Sequence, residues 1–196
     1  MEKTKREINK ENKITLKSEL DILEQVARRA RVYFDLWWIC EGYETRSKNL
    51  QAMNRYPEFF RFDSHAHEMT YIMYLCQIFE NNSKTLNITN VIKQAKAQKL
   101  SEGQITNAEQ ALCEAKPIYK KLLIIRHNLF AHRNISLSYK SAFEKANITP
   151  NEIRNLTELG LKAVNSLLVA LGQNKRVFSE LPGKDLSKLL ENIKAE

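Results

Sequence analysis

The sequence contains one pair of side chains whose types and spacing could cleave RNA. Arg126 and His132 stand six positions apart in the segment Arg126-His127-Asn128-Leu129-Phe130-Ala131-His132. A neutral imidazole can accept the proton of a ribose 2′-hydroxyl, and an imidazolium can protonate the leaving oxygen. A guanidinium can bind the phosphate through two parallel hydrogen bonds and stabilise the charge of the transition state. This chemistry requires no metal ion.

The spacing of this pair leaves two interpretations open. The segment lies near the end of a predicted helix, where six residues separate two side chains by about 120° around the axis and about 9 Å along it. Arg126 and His132 therefore need not form a close pair within one chain, whereas Asn128 and His132 share a face. In the other interpretation His132 only caps the helix and Arg126 forms a surface ion pair.

Positive charge is concentrated around the same segment. The chain has 31 basic and 23 acidic residues, for a net charge of +8. Residues 115–145 carry seven Lys and Arg side chains against Glu144 alone, and so supply six of those eight charges. A local basic patch favours a polyanionic partner, most simply RNA or DNA, although a solvated basic face is the alternative. The candidate supporting or RNA-binding residues are His127, Asn128, Arg133, Lys120 and Lys121.

Composition excludes several other classes of protein. The five Gly and four Pro residues are too few for an all-β domain with frequent turns, and the usual Gly-rich phosphate-binding motifs are absent from the sequence. Three widely spaced Cys residues predict neither a disulfide framework nor a zinc site. The sequence shows no signal peptide and no apolar run long enough to span a membrane, which predicts a soluble cytoplasmic protein.

Apolar residues recur at spacings of three and four, which predicts an all-α, mostly antiparallel bundle of four to six helices. A charged extension (1–17) precedes the bundle (18–172), and a short helix lies in 173–196. Pro117 is expected to kink or split its helix. Thr149 and Glu152 predict a capping box. The predicted helices cover about 18–53, from 57 or 64 to 81, 89–99, 107–132, 150–171 and a last one from residue 185, with a linker from 135 to 148.

Two further groups of residues have more than one interpretation. His65 and His67 stand two positions apart, and on a helix they point about 160° apart, so they do not readily share a metal ion. We predict no metal site, and one of the two could line the basic cleft. The aromatic residues of the first helix could stack on RNA bases, but their helical spacing favours core packing. These are Tyr33, Phe34, Trp37 and Trp38.

The segment from Arg126 to His132 resembles the R-x(4–6)-H signature of HEPN domains (higher eukaryotes and prokaryotes nucleotide-binding), with His127 in the place of the polar residue after the Arg. The wider pattern resembles the AbiU-like, abortive-infection branch of this family. The features that carry it are Trp37-Trp38 in the first helix, Phe59-Phe60 ahead of Ala66-His67, and the late Arg-His helix.

The resemblance implies a metal-independent endoribonuclease without a cofactor, acting in phage defence or in a toxin-antitoxin system. Arg126 would bind the phosphate, His132 would be the general base or acid, and His127 would orient them or contact RNA. The implied partners are RNA, a second copy of the chain with the motif helices facing each other, and a cognate antitoxin, with no membrane. A non-catalytic module that binds RNA or nucleotides, or a partner-binding defence subunit, is the alternative.

Overall fold

The computed structural model describes residues 15–131 and 138–195. Within these ranges the chain forms eight α-helices and one π-helical segment, with no β-strand. The all-α fold class is therefore confirmed. The helices are α1 (Leu16–Glu41), α2 (Arg46–Met53), α3 (Pro57–Phe79), α4 (Ile88–Ala97), α5 (Glu102–Ile125), α6 (Tyr139–Ala146), α7 (Pro150–Ala170) and α8 (Leu181–Ala195), and the π-helical segment spans Arg126–Ala131.

The first predicted helix is two helices in the structure. The N-cap of α1 is Thr15, whose side chain accepts a hydrogen bond from the Ser18 N–H, so the helix begins at Leu16, two residues before the predicted start at residue 18. Helix α1 ends at Glu41, because Gly42 has an extended backbone conformation while its N–H still bonds to the Trp38 carbonyl. The chain then turns into α2, so the prediction of one helix to Met53 is wrong.

Helix α5 begins five residues earlier than predicted and continues unbroken through Pro117. Proline removes one backbone donor, which leaves the carbonyl of the residue four positions earlier without its helical partner. That residue is Cys113, and both Cys113 and Pro117 are exposed, so water can hydrate the carbonyl. Pro117 was predicted to kink or split this helix; the split is wrong, and the kink stays a prediction.

Helix α6 lies inside the predicted linker. Its N-cap is Ser138, whose side chain accepts a hydrogen bond from the Ser141 N–H. The capping box predicted for the next helix is confirmed: the Thr149 side chain accepts from the Glu152 N–H, and the Glu152 carboxylate accepts from the Thr149 N–H.

The core lies between two closely packed helix pairs, α1 with α3 and α5 with α7, and α1 also packs on α7. A second, smaller apolar cluster lies where α8 packs on α1 and α2. This cluster contains Cys40, Ala52, Met53, Phe60 and Leu190. Helix α3 thus has one face in the core and one end in the smaller cluster.

The turn between α1 and α2 allows a direct test of the fold. A Cβ atom added at Gly42 would lie 2.5 Å from the Trp38 carbonyl oxygen, whereas a Cβ added at Gly103 has no neighbour within 4 Å. We expect Gly42→Ala to lower the free energy of unfolding by about 1–3 kcal/mol through this overlap. Gly103→Ala, the matched control, should leave it unchanged or raise it by up to about 1 kcal/mol. Urea unfolding measures both, and equal effects would contradict the close approach.

Candidate functional site

The Arg-His motif begins where the chain changes from α-helical to π-helical hydrogen bonding. Helix α5 ends at Ile125, and Arg126–Ala131 form the π-helical segment. At the junction the Asn128 side-chain amide donates a hydrogen bond to the Ile124 carbonyl at 2.6 Å. Short π-helical segments are rare and are frequently found at functional sites, because the wider turn changes the direction of the side chains that follow.

Arg126 projects between α5 and α3. It is partly buried, and its Nε atom is shielded from water without a hydrogen-bond partner among the residues that the structure describes. Burial raises the pKa of Cys76 on α3 and of Tyr119 on α5 to about 12 each, and the Arg126 charge opposes both shifts. Arg126 is therefore a partly buried cation with one nitrogen shielded from water, and the exposed part of its guanidinium can bind an anion such as phosphate.

The predicted basic neighbours differ in their surroundings. Lys121 donates to the Glu152 carboxylate at 2.6 Å, which joins α5 to the start of α7. This hydrogen bond is the main cause that lowers the pKa of Glu152. Lys120 is exposed and lines a depression of about 390 Å³ together with Lys116 and Tyr119. Lys120 is thus open to a ligand, whereas the charge of Lys121 is paired within the fold.

Of the three remaining predicted site residues, the structure describes only one. His127 is exposed on the π-helical segment. His132 and Arg133 lie outside the described residues. The structure therefore gives surroundings for Arg126, His127, Asn128, Lys120 and Lys121, while the distance between Arg126 and His132 stays a prediction.

The two histidines of α3 lie in different environments. His65 is exposed, with its ring centroid 6.1 Å from that of Phe130 and 6.4 Å from that of Tyr139. His67 is half-buried, 5.5 Å from the Tyr33 ring, with its Nδ1 atom 3.5 Å from an Asp63 oxygen. Burial lowers the pKa of His67, against the opposing effect of Asp63.

His65 therefore lies where α3, the π-helical segment and α6 meet, and His67 does not. Throughout the described ranges no three His, Cys, Asp or Glu side chains are grouped so that they could bind a metal ion. The sequence left the choice between the two histidines open. The segment that holds Tyr139 was predicted to be a linker, so the sequence did not indicate that α6 would bring an aromatic ring to His65.

A buried carboxyl near this junction is the functional candidate that sequence reasoning missed. Glu68, one turn after His65 on α3, is 7% exposed and has its pKa raised to about 7 by burial and by Glu41. It lines a cavity whose wall includes Tyr139. A carboxyl with a pKa near neutrality can accept or donate hydrogen bonds at physiological pH. Its position on the apolar side of α3 is the only sequence signal for it.

The comparisons with known proteins identify the family. None of the helices in the described ranges is both long and apolar enough to cross a membrane. No curated protein and no solved structure matches the chain. A sequence model of the HEPN family AbiU2 matches residues 13–189, which include the Arg-His motif and all eight helices except the end of α8. The chain therefore belongs to the AbiU2 family of HEPN domains.

Proposed function

We propose that this protein is a metal-independent endoribonuclease of the HEPN type that acts in abortive infection or as a toxin with a cognate antitoxin. The observation that carries the proposal is the environment of the Arg126 side chain. A buried guanidinium nitrogen without a partner among the described residues stands at a π-helical turn, at the first position of the family's Arg-His motif. Residues 115–145 add the positive charge that attracts RNA.

In the proposed reaction the 2′-oxygen of a ribose attacks the neighbouring phosphorus. His132 takes the proton of the 2′-hydroxyl while water protonates the departing 5′-oxygen, or His132 protonates the 5′-oxygen while water takes the proton of the 2′-hydroxyl. Arg126 binds the non-bridging oxygens and stabilises the added negative charge. The P–O5′ bond breaks as the P–O2′ bond forms, so the products are a 2′,3′-cyclic phosphate and a free 5′-hydroxyl. Lys120 and His127 are exposed on the same helical stretch and would contact the RNA backbone.

We further propose that two copies of the chain share the site. Helix α3 carries an exposed apolar strip, formed by Phe59, Phe62, Met69 and Met73, with 41–64% of each side chain exposed. His65, which contacts Phe130 of the motif segment, lies three residues after Phe62 and four before Met69, so the strip borders the motif. Pairing of this strip with that of a second copy would bring two motif segments together and bury the apolar surface.

Replacing His132 tests the catalytic proposal. His132→Ala should lower the rate of RNA cleavage in EDTA by about 10²- to 10⁴-fold, because proton transfer in the transition state is lost. The rate is measured on a mixed RNA substrate, with the cyclic phosphate identified by mass spectrometry. His67→Gln, on the other side of α3, is the matched control and should cleave like the wild type. Cleavage that chelation abolishes, or that His132→Ala leaves unchanged, would contradict the mechanism.

Introducing charge on the apolar strip tests the shared site. Phe62→Asp should convert a dimer to a monomer and reduce cleavage in parallel, because it places a carboxylate in the interface in place of Phe62 of each copy. Sedimentation velocity measures the oligomeric state. Val177→Asp changes an apolar residue between α7 and α8 that is more exposed than Phe62, and it should alter neither property. A monomeric wild type that still cleaves RNA would overturn the shared site.

A further inference from the structure

A cavity of about 370 Å³ opens between α1, α3, α6 and the start of α7. Trp37 of α1 and Tyr139 and Phe143 of α6 supply aromatic walls, while Glu68 and Tyr71 of α3 supply polar atoms. Cavities of this size and largely apolar lining, with a few convergent polar groups, are typical small-molecule sites.

The two polar groups in this wall are costly to bury. Tyr71 is fully buried, and its hydroxyl has no hydrogen-bond partner within the described ranges. Glu68 is 7% exposed, and no hydrogen bond contributes to the shift of its pKa. An unsatisfied buried polar group costs about 1–3 kcal/mol. Of the two, only the Tyr71 hydroxyl is a buried group without a partner, whereas the Glu68 carboxylate lines the cavity and can accept hydrogen bonds from a ligand.

The groups around Glu68 determine what it can bind. Glu41 at the end of α1 raises its pKa, and Tyr71 is its neighbour on α3. On α6, Lys140 and Glu144 line the cavity and form an ion pair with a 3.8 Å separation, with both side chains mostly exposed. The deep end of the cavity is therefore acceptor-rich, and its rim carries a cation.

The ligand must be flat, must present donors at its inner edge and can carry a negative charge at its outer end. A guanine base has adjacent N–H and NH₂ donors on its Watson–Crick edge, which match the two oxygens of a carboxylate. Its ring would stack on the aromatic walls, with the attached phosphate near Lys140. We propose that this cavity binds a guanine nucleotide, with the Glu68 carboxylate as the acceptor for its paired donors.

The cavity adjoins the motif, so the nucleotide belongs to the RNA substrate. Tyr139, which lines the cavity, lies 6.4 Å from His65 between ring centroids, and His65 lies 6.1 Å from Phe130 of the motif segment. This role rests on the proposed function: the guanine would belong to an RNA that also contacts Arg126. A small organic amine could also enter an aromatic cavity with a carboxyl, so propylamine is compared with GMP in the binding test.

Mononucleotide binding tests the cavity without requiring catalysis. Trp37 lines the cavity, so its fluorescence should change on binding, and calorimetry with GMP and AMP gives the affinities. GMP should bind about 5- to 100-fold more tightly than AMP at pH 8. Because the pKa of Glu68 is about 7 and only its ionised form accepts both donors, GMP affinity should fall about tenfold from pH 8 to pH 6.

Several outcomes would overturn this proposal. An adenine ring has an acceptor beside its donor and pairs with a protonated carboxyl, so AMP affinity that exceeds GMP affinity and rises on acidification would contradict the guanine assignment. Binding of propylamine without binding of GMP would identify an amine site instead. A GMP affinity that does not change between pH 8 and pH 6 would remove Glu68 from recognition.

Replacing Glu68 tests specificity in a way that a structural role would not reproduce. Glu68→Gln is isosteric and gives one donor and one acceptor, so GMP affinity should fall at least fivefold and AMP should become the preferred ligand. Glu58→Gln, at an exposed Glu of the same helix that pairs with Arg61, is the matched control and should bind like the wild type. Tyr71→Phe should weaken GMP binding without reversing the preference. An unchanged GMP preference in Glu68→Gln overturns the proposal.

The same variants separate this inference from the proposed function. If wild-type protein binds GMP but cleaves no RNA, the nucleotide site stands and the ribonuclease proposal fails. If RNA is cleaved without preference for guanine, and Glu68→Gln cleaves at the same positions, the ribonuclease proposal stands and the guanine site fails.

Discussion

The change of hydrogen-bonding pattern at Arg126 is the constraint on which the rest of the candidate site depends. An α-helix that continued past Ile125 would carry each later side chain about 100° further around the axis. The wider π-helical turn alters that progression, and Phe130 lies against His65 of α3. The Asn128 amide stabilises the junction through the Ile124 carbonyl. Rigid helices on both sides, α3 and α5, therefore set the position of the motif.

The basic side chains of residues 115–145 differ in how available their charge is to RNA. Of the basic residues in 115–145, Lys121 is paired with Glu152 within the fold, so part of the local charge is not available to RNA, whereas Lys140 forms only a long, exposed pair with Glu144. Arg126 differs, because one of its nitrogens is buried without a partner in the described structure. A partly buried guanidinium binds an anion more strongly than an exposed lysine, since the effective dielectric constant around it is lower. The basic segment therefore combines a long-range attraction with one short-range binding group.

Local signals in the sequence predicted the fold class and several helix ends. The Thr149 and Glu152 capping box needed only four residues, and the structure contains it. The break at Gly42 was missed because it depends on how closely the chain approaches Trp38, which no sequence pattern reports. Pro117 was expected to interrupt α5, but exposure of that turn removes most of the penalty. Helix α6 was missed although its apolar spacing was visible in the sequence, because the flanking polar residues resembled a linker.

The part of the candidate site that lies on one continuous stretch of chain could be predicted from the sequence, and the part that other helices contribute could not. The Arg-His motif and its charge were visible because they are contiguous, whereas Glu68 joins the site only through packing of α1, α3 and α6. The pKa of Glu68 is raised from its ordinary value of 4.5 to about 7. Between pH 4.5 and pH 7, therefore, the folded state keeps a proton that the unfolded state has released. Stability therefore falls as pH rises from about 4.5 to 7, by about 3 kcal/mol in total. An apolar residue at this position would avoid this loss, so the carboxyl of Glu68 is costly to packing at neutral pH.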